Sequence, residues 1–482
     1  MPPSIHPPAG IVAPPGESLL VLSDVHLGSD LNDLTPPETH IRRARETDQD
    51  LVRLLNHYRA ERAPDGRWRL VIAGDFIDFI GIAVRATAGD SVTPPNAEEQ
   101  QYGLGNGENH ARAKLRRVAT RHDDVFDALA AFVAAGNALT LVHGNHDLEL
   151  HWDGVRAEFV SILREHALRR GEYRTDFEER VTFQPWFFYM DGVAYIEHGH
   201  QYDAYCATDH VMVPRSPLNP LQSARGFCDV LLRRVVRPTP GVREHGHETM
   251  GIADYLLLGM RLGFGGMFKL GARFFGAVVE LFRLRRQHLA EAGHALREEH
   301  DRRVRLLSEA TKIGLDRLRA IAALQTPPIT RSIRGILASV LLDKLALGML
   351  CTILLVVGGI VAARHHLFWP LPASVVVGWA LTHRMLTRAR QIDPTEHLAD
   401  RAAHLAKLFP VAFVVMGHTH IPQQIPVSAS ATYINVGAWA EEEESVRAPR
   451  THLVIRSGAA GPVADLLAWD TETALPRRYE HS

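Results

Sequence analysis

Residues 18–27 read SLLVLSDVHL, an apolar run that ends in Asp24-Val25-His26. A short Leu- and Val-rich run without charge until its last residues has the composition of a strand buried on both faces. The same arrangement recurs four times along the chain. RLVIA (69–73) precedes Gly74-Asp75-Phe76-Ile77-Asp78, and ALTLV (138–142) precedes His143 and then Gly144-Asn145-His146-Asp147. VAYIE (193–197) precedes His198-Gly199-His200, and VAFVVM (411–416) precedes Gly417-His418-Thr419-His420. Carboxylate, imidazole and carboxamide groups clustered at strand ends are what a pair of divalent cations requires of a rigid scaffold. Between these runs lie helical patterns, THIRRARETDQDLVRLLNHYRAE (39–61) and DDVFDALAAFVAAG (123–136), so strands and helices alternate as in an α/β fold.

Composition frames this reading. A chain of 482 residues exceeds one ordinary core, and its 46% hydrophobic and 22% charged residues are globular values. A net charge of -2 argues against a broad nucleic-acid surface, so no nucleic-acid partner is expected. Cys206, Cys228 and Cys351 have no spacing that suggests a disulfide framework or zinc knuckle, which fits a reducing compartment. The start, MPPSIHPPAGIVAPPGES, is proline-rich and lacks the basic and apolar regions of a secretory signal; residues 1–17 are expected to be disordered.

The longest apolar stretch separates the fourth and fifth motifs. Leu345–Ala363 holds 19 residues without charge. As a helix it would reach about 28 Å at ~1.5 Å per residue, close to a bilayer core. A second uncharged run covers Leu367–Thr382, with Pro370 and Pro372 near its start. The alternative is a buried helical hairpin in a soluble cap. Because the motifs on both sides must meet at one site, the chain must cross a membrane an even number of times between them, and two runs satisfy that. Arg331, Arg334 and Lys344 before the pair, and Arg384, Arg388 and Arg390 after it, outnumber Arg364 in the link. That asymmetry places the catalytic body on the cytoplasmic face of a membrane. Residues 251–286 mix apolar clusters, glycines and sparse basic residues, as an interfacial segment or a packed helix pair would. Residues 287–325 carry Leu296, Val304, Leu307 and Leu315 at helical spacing, and Thr87–Asn109 has the composition of a surface loop.

In order and in type, the five motifs resemble those of the calcineurin-like metallophosphoesterase superfamily: D-x-H, G-D-x-x-D, G-N-H-D, a later His-Gly and G-H-x-H. The resemblance covers 18–203 and 411 to about 470. The His198 region and ATYINVGAWAEE after the last motif are similar to the branch of UDP-2,3-diacylglucosamine pyrophosphatases, although that branch usually has Asp where His200 stands. The resemblance implies a four-layer α/β/β/α sandwich, here with a large helical, membrane-associated insert. The expected division is a first catalytic part at 18–205, an insert at 206–400 containing an apolar hairpin at 345–382, and a second catalytic part at 401–482.

By the same resemblance, Asp24, His26 and His420 would hold one ion, Asn145, His198 and His418 a second, and Asp75 would bridge them. Two divalent ions are implied, Mn²⁺ first, with Fe or Zn²⁺ as alternatives. A hydroxide activated by the pair would attack phosphorus in line. His146 would bind phosphate and protonate the leaving oxygen, Asp147 would orient His146, and Asp78 would support its loop. His200 and Asp203 are candidate substrate contacts. The expected function is metal-dependent hydrolysis of a phosphoester or pyrophosphate in a lipid or lipid-linked nucleotide at the membrane. The alternatives are a membrane-anchored phosphodiesterase of soluble nucleotides and a non-catalytic phospho-ligand sensor.

Overall fold

The computed structural model describes residues 17–34, 40–90, 92–240, 261–287, 292–339, 342–365, 370–388, 395–440, 449–459 and 461–480. Residues 1–16 of the proline-rich start, 251–260, 366–369 between the two apolar helices and the acidic run Glu441–Glu444 lie outside the described residues.

Each apolar run that precedes a polar motif is a strand. In chain order these are β1 (Glu17–Leu22), β2 (Arg67–Ala73), β3 (Ala138–Val142), β4 (Val181–Gln184), β5 (Phe187–Met190) and β6 (Gly192–Glu197). There follow β7 (Arg215–Ser216), β8 (Asn219–Ser223), β9 (Val411–Met416), β10 (Gln423–Pro426) and β11 (Thr432–Asn435). The last three are β12 (Thr451–Gly458), β13 (Gly461–Asp470) and β14 (Leu475–Arg478). Among the described residues they form a seven-stranded sheet, β14-β13-β12-β1-β2-β3-β4, a five-stranded sheet, β10-β11-β9-β6-β5, and the small pair β7-β8. β1 to β4 run parallel, as do β6, β9 and β11, so both sheets are mixed.

Side-chain alternation makes four layers from these two sheets. Leu19 and Val21 of β1 point to a shared core with Phe188, Ile196, Phe413 and Val415 of the other sheet. Leu20 and Leu22 point the other way, onto the helices His40–Ala60, Glu108–Arg121, Asp123–Ala134 and Asp153–Arg170. The outer face of the five-stranded sheet, with Tyr195, Val414 and Tyr433, is covered by the helices Ala292–Thr311, Leu315–Leu324 and Thr395–Leu408. Val304 and Leu307 of the amphipathic stretch are buried there. Each such side chain contributes about 1.5–3 kcal/mol relative to exposure.

The region between β6 and β9 is helical, and part of it has a core of its own. Phe227, Leu231, Leu270, Leu281, Leu284 and Ile336 pack together from the helices Phe227–Leu231, Gly263–Gln287 and Ile333–Ser339. The two charge-free runs fall in helices Leu342–His365 and Pro370–Arg388, which pack on each other. Ile353, Val356, Val357, Ile360, Val377 and Leu381 remain 52–62% exposed on this pair, apart from any covering layer. Among the described residues no helix is long and apolar enough to cross a membrane, so the spanning pair expected from sequence is here a packed hairpin with an exposed apolar surface. The stretch 87–109 also differs from a plain loop. It contains the helix Ala97–Tyr102, closed by a capping box between Asn96 and Glu99.

Candidate active site

The five motifs occupy the carboxyl ends of β1, β2, β3, β6 and β9, where parallel strands release their polar loops side by side. Backbone hydrogen bonds lock the loops to one another. The Asp24 N–H donates to Gly74 O at 3.2 Å, and the Val25 and His26 N–H groups donate to Asp75 O at 3.0 and 2.9 Å. The amides of Trp439 and Ala440 return to Asp24 O, both at 3.0 Å. Asn435 donates from Nδ2 to Gly417 O at 2.7 Å and to Thr419 Oγ1 at 3.0 Å, fixing the last motif.

Backbone strain is concentrated here. Asp24, His26, Asp75, His418 and His420 have φ of 53°, 52°, 53°, 70° and 60°, a left-handed region that non-glycine residues seldom adopt. Each such residue costs about 1–3 kcal/mol, and the surrounding bonds must hold it. Two glycines allow the loops to close. A Cβ on Gly74 (φ +92°) would lie 2.4 Å from His198 Nδ1, and one on Gly144 would lie 2.1 Å from Asp75 Oδ1.

The side chains converge in overlapping groups. Donor atoms of Asp24, His26 and His420 lie within 4.8 Å of one another, as do those of Asp24, Asp75 and His198, and those of His26, Asp75 and His146. Asp24, His26 and Asp75 each belong to two of these groups, so the donors interlock in one site. His420 Nε2 is 3.0 Å from Asp24 Oδ1, and His198 Nε2 is 3.1 Å from both Asp75 Oδ2 and Asn145 Oδ1. His198 Nδ1 donates to Ala73 O at 2.9 Å, which leaves Nε2 as the ligating nitrogen. His418 Nε2 donates to Asp203 Oδ2 at 3.0 Å, and its backbone N–H donates to Asp24 Oδ2 at 3.0 Å.

Asp24, Asp75, His26 and His198 are buried. Burial raises the Asp24 carboxyl, but His420 and His198 outweigh it and hold it well below the usual carboxylate range. Asp75 is held down in the same way, by His198 and His146. Burial opposes the charge on His198, and Asp75 and Asp24 overcome it and raise it to about 9. Buried carboxylates of this kind require a compensating cation. His198 Nε2 faces a carboxylate and an amide oxygen together, Asp75 Oδ2 and Asn145 Oδ1. A divalent ion would meet the same donors and balance the buried carboxylates, so the residues present fit a metal centre.

His146 is held by Asp78, not by Asp147. Its Nδ1 donates to Asp78 Oδ1 at 2.6 Å, and its backbone N–H donates to Asp75 Oδ1 at 2.8 Å. Burial lowers the imidazole, but Asp75 and Asp78 prevail and hold it at about 9. Asp147 instead accepts the Gly144 N–H at 2.6 Å and the Phe76 N–H at 2.9 Å, tying the third motif to the second. The expectation that Asp147 orients His146 is therefore corrected: the two carboxylates exchange roles. Of the candidate substrate contacts, Asp203 is engaged with His418. His200 is 3% exposed, with Nε2 2.9 Å from Gln201 Nε2 and its ring 5.4 Å from that of His198.

Sequence reasoning missed Arg237. It lies in the helical insert, is 4% exposed, and reaches Asp78 Oδ2 with Nη2 at 3.1 Å and Ser29 O with Nη1 at 2.7 Å. No motif surrounds it, and only the fold brings it to the site. Asn435 was legible as part of ATYINVG, but its service to the last motif was not.

The calcineurin-like phosphoesterase family matches the chain over residues 18–257. The last motif, which lies outside that span, adds His420 to the donors of Asp24 and His26 and sets the His418 ring 5.2 Å from that of His198. No curated protein matches the chain significantly. With the family match and the donor groups at its strand ends, the chain carries a calcineurin-like phosphoesterase domain and is a phosphoesterase hydrolase.

Proposed function

We propose that the chain hydrolyses a phosphoester or pyrophosphate of a lipid or lipid-linked nucleotide at a membrane surface, with its catalytic body facing the cytoplasm. One observation carries the lipid part: an exposed apolar hairpin, Leu342–His365 with Pro370–Arg388, inserted between the strands that deliver the fourth and fifth motifs. An apolar surface of that kind is unfavourable in water and favourable against acyl chains. The likeness of the His198 region and of ATYINVGAWAEE to UDP-2,3-diacylglucosamine pyrophosphatases supports a diacylated nucleotide sugar as the first substrate to test.

Two divalent ions, Mn²⁺ foremost, would be held by Asp24, His26, Asp75, Asn145, His198, His418 and His420. When bound they supply Lewis-acid polarisation of the phosphoryl oxygens and a nucleophile at neutral pH. The chain's own residues do the rest. Asp75 lies between the two donor groups and fixes their separation. His146, tethered at Nδ1 by Asp78, keeps Nε2 for the phosphate and for the proton the leaving oxygen takes. Arg237 holds Asp78 in turn.

The test is a substrate screen with the full-length, Mn²⁺-loaded protein on UDP-diacylglucosamine, simple phosphodiesters and soluble nucleotides. Preference for the acylated substrate is expected. Turnover confined to soluble nucleotides would remove the lipid reading, and the absence of metal-dependent turnover on all of them would remove the catalytic one.

A further inference from the structure

We propose that Asp203, Cys206 and His418, with Cys228 beside Cys206, form a thiolate-bearing site for a zinc-like divalent cation, adjoining the catalytic pair and sharing His418 with it. Donor atoms of Asp203, Cys206 and His418 lie within 4.8 Å of one another, and all three residues are half-buried, which leaves an ion a way in. Cys228 Sγ lies 3.3 Å from Cys206 Sγ.

Local structure fixes two of these donors together. The N–H groups of Cys206 and Ala207 donate to Asp203 O at 3.1 and 2.8 Å, and the Tyr205 N–H donates to Asp203 Oδ1 at 2.9 Å. Asp203 and Cys206 thus sit on one closed turn. The last motif brings His418, and the helix Phe227–Leu231 brings Cys228. Both cysteines line the same cleft as Asn145.

The donor chemistry selects the ion. Sulfur, imidazole nitrogen and carboxylate oxygen together are zinc donors, whereas Mg²⁺ and Mn²⁺ favour oxygen. Binding releases the Cys206 thiol proton to solvent, and the ion takes the place of the proton that His418 Nε2 now donates to Asp203. His418 is shared with the catalytic donors, so this site abuts the reaction centre.

Cobalt(II) reports sulfur ligation directly, through a thiolate-to-cobalt charge-transfer band in the near ultraviolet. The full-length protein, reduced and freed of metal, would be titrated with Co²⁺. The band is expected in the wild type, lost in Cys206→Ser, and retained in His26→Ala, which removes a catalytic donor. No band in the wild type at saturating Co²⁺, or a band that survives Cys206→Ser, would overturn the site. So would a Cys206–Cys228 disulfide found by mass spectrometry in the protein purified with reductant. The wild-type spectrum needs no variant to fold. It also needs no turnover, so it stands or fails apart from the hydrolase reading.

Discussion

Asp78 and Asp147 are both buried carboxylates beside the third motif, yet their partners give them different work. Asp78 touches the reacting imidazole, and Asp147 touches only backbone amides. Asp78→Asn leaves the strand-end loops bonded but loosens His146. Turnover should fall by about 10²-fold or more, the scale of a positioned acid or base, with metal content unchanged. Asp147→Asn places an NH₂ group against one of two N–H donors. A buried donor left without its charged acceptor costs about 2–3 kcal/mol, and the loop carrying Asn145 should then lose metal. Metal analysis beside steady-state kinetics separates the two variants. Equal metal loss in both would refute the assignment.

At the scale of elements, the stretch 87–109 becomes ordered through charges the sequence scatters widely. Glu98 receives Arg225 Nη1 at 2.7 Å, Arg234 Nη2 at 3.2 Å and Arg233 Nε at 3.4 Å, all from the insert. Burial raises its carboxyl, but the arginines, Arg225 first, outweigh burial and bring it from 4.5 to about 2. A carboxyl depressed in the folded state adds stability that is full above pH 4.5 and is lost as pH falls towards about 2. Allowing for solvent screening, Glu98→Gln should cost about 1–2 kcal/mol at neutral pH and almost nothing near the lower limit. Urea unfolding of both proteins across that range checks it, and a difference that does not shrink on acidification would exclude this origin. The strands themselves were legible because each is a continuous apolar run whose period needs no partner to be read. The pinned loop was not, because Glu98 and its arginines are ordinary surface charges until the insert folds beside them.

At the scale of the molecule, the parallel pairing of β6 and β9, with Ala194 opposite Phe413, makes the insert one long crossover. The chain leaves the carboxyl end of β6, passes through the helices, and re-enters β9 at the opposite end of the strands, its last helix, Thr395–Leu408, lying on the sheet. This is why motifs far apart in sequence end side by side, and why the metal-donor set could be read from five short runs. Arg237 could not be read, because its place depends on how the insert folds back. Its bond to Asp78 links insert and active site. Replacing it by Leu breaks a buried pair, a loss of about 3–5 kcal/mol, and should lower turnover as Asp78→Asn does. Stability and rate measured on the single and double variants would show the coupling; additive effects would deny it.

The same crossover decides what the hairpin can do. It projects apolar side chains, Val357 at 52% and Val377 at 57% exposure among them, from an insert joined to the site through Arg237 and the Glu98 cluster. If those side chains enter acyl chains, a charge there is costly. An aspartate at the centre of a membrane-embedded helix is unfavourable by about 2.5–3.5 kcal/mol, a loss on the order of 10²-fold in partition for each substitution. The full-length protein should therefore float with lipid vesicles in a density gradient, and the Val357→Asp, Val377→Asp double variant should remain at the bottom. Neither residue touches the metal donors, so the variant should still hydrolyse a soluble phosphodiester at the wild-type rate. Wild-type protein that stays at the bottom of the gradient would remove the lipid surface from the reading and leave the hydrolase intact.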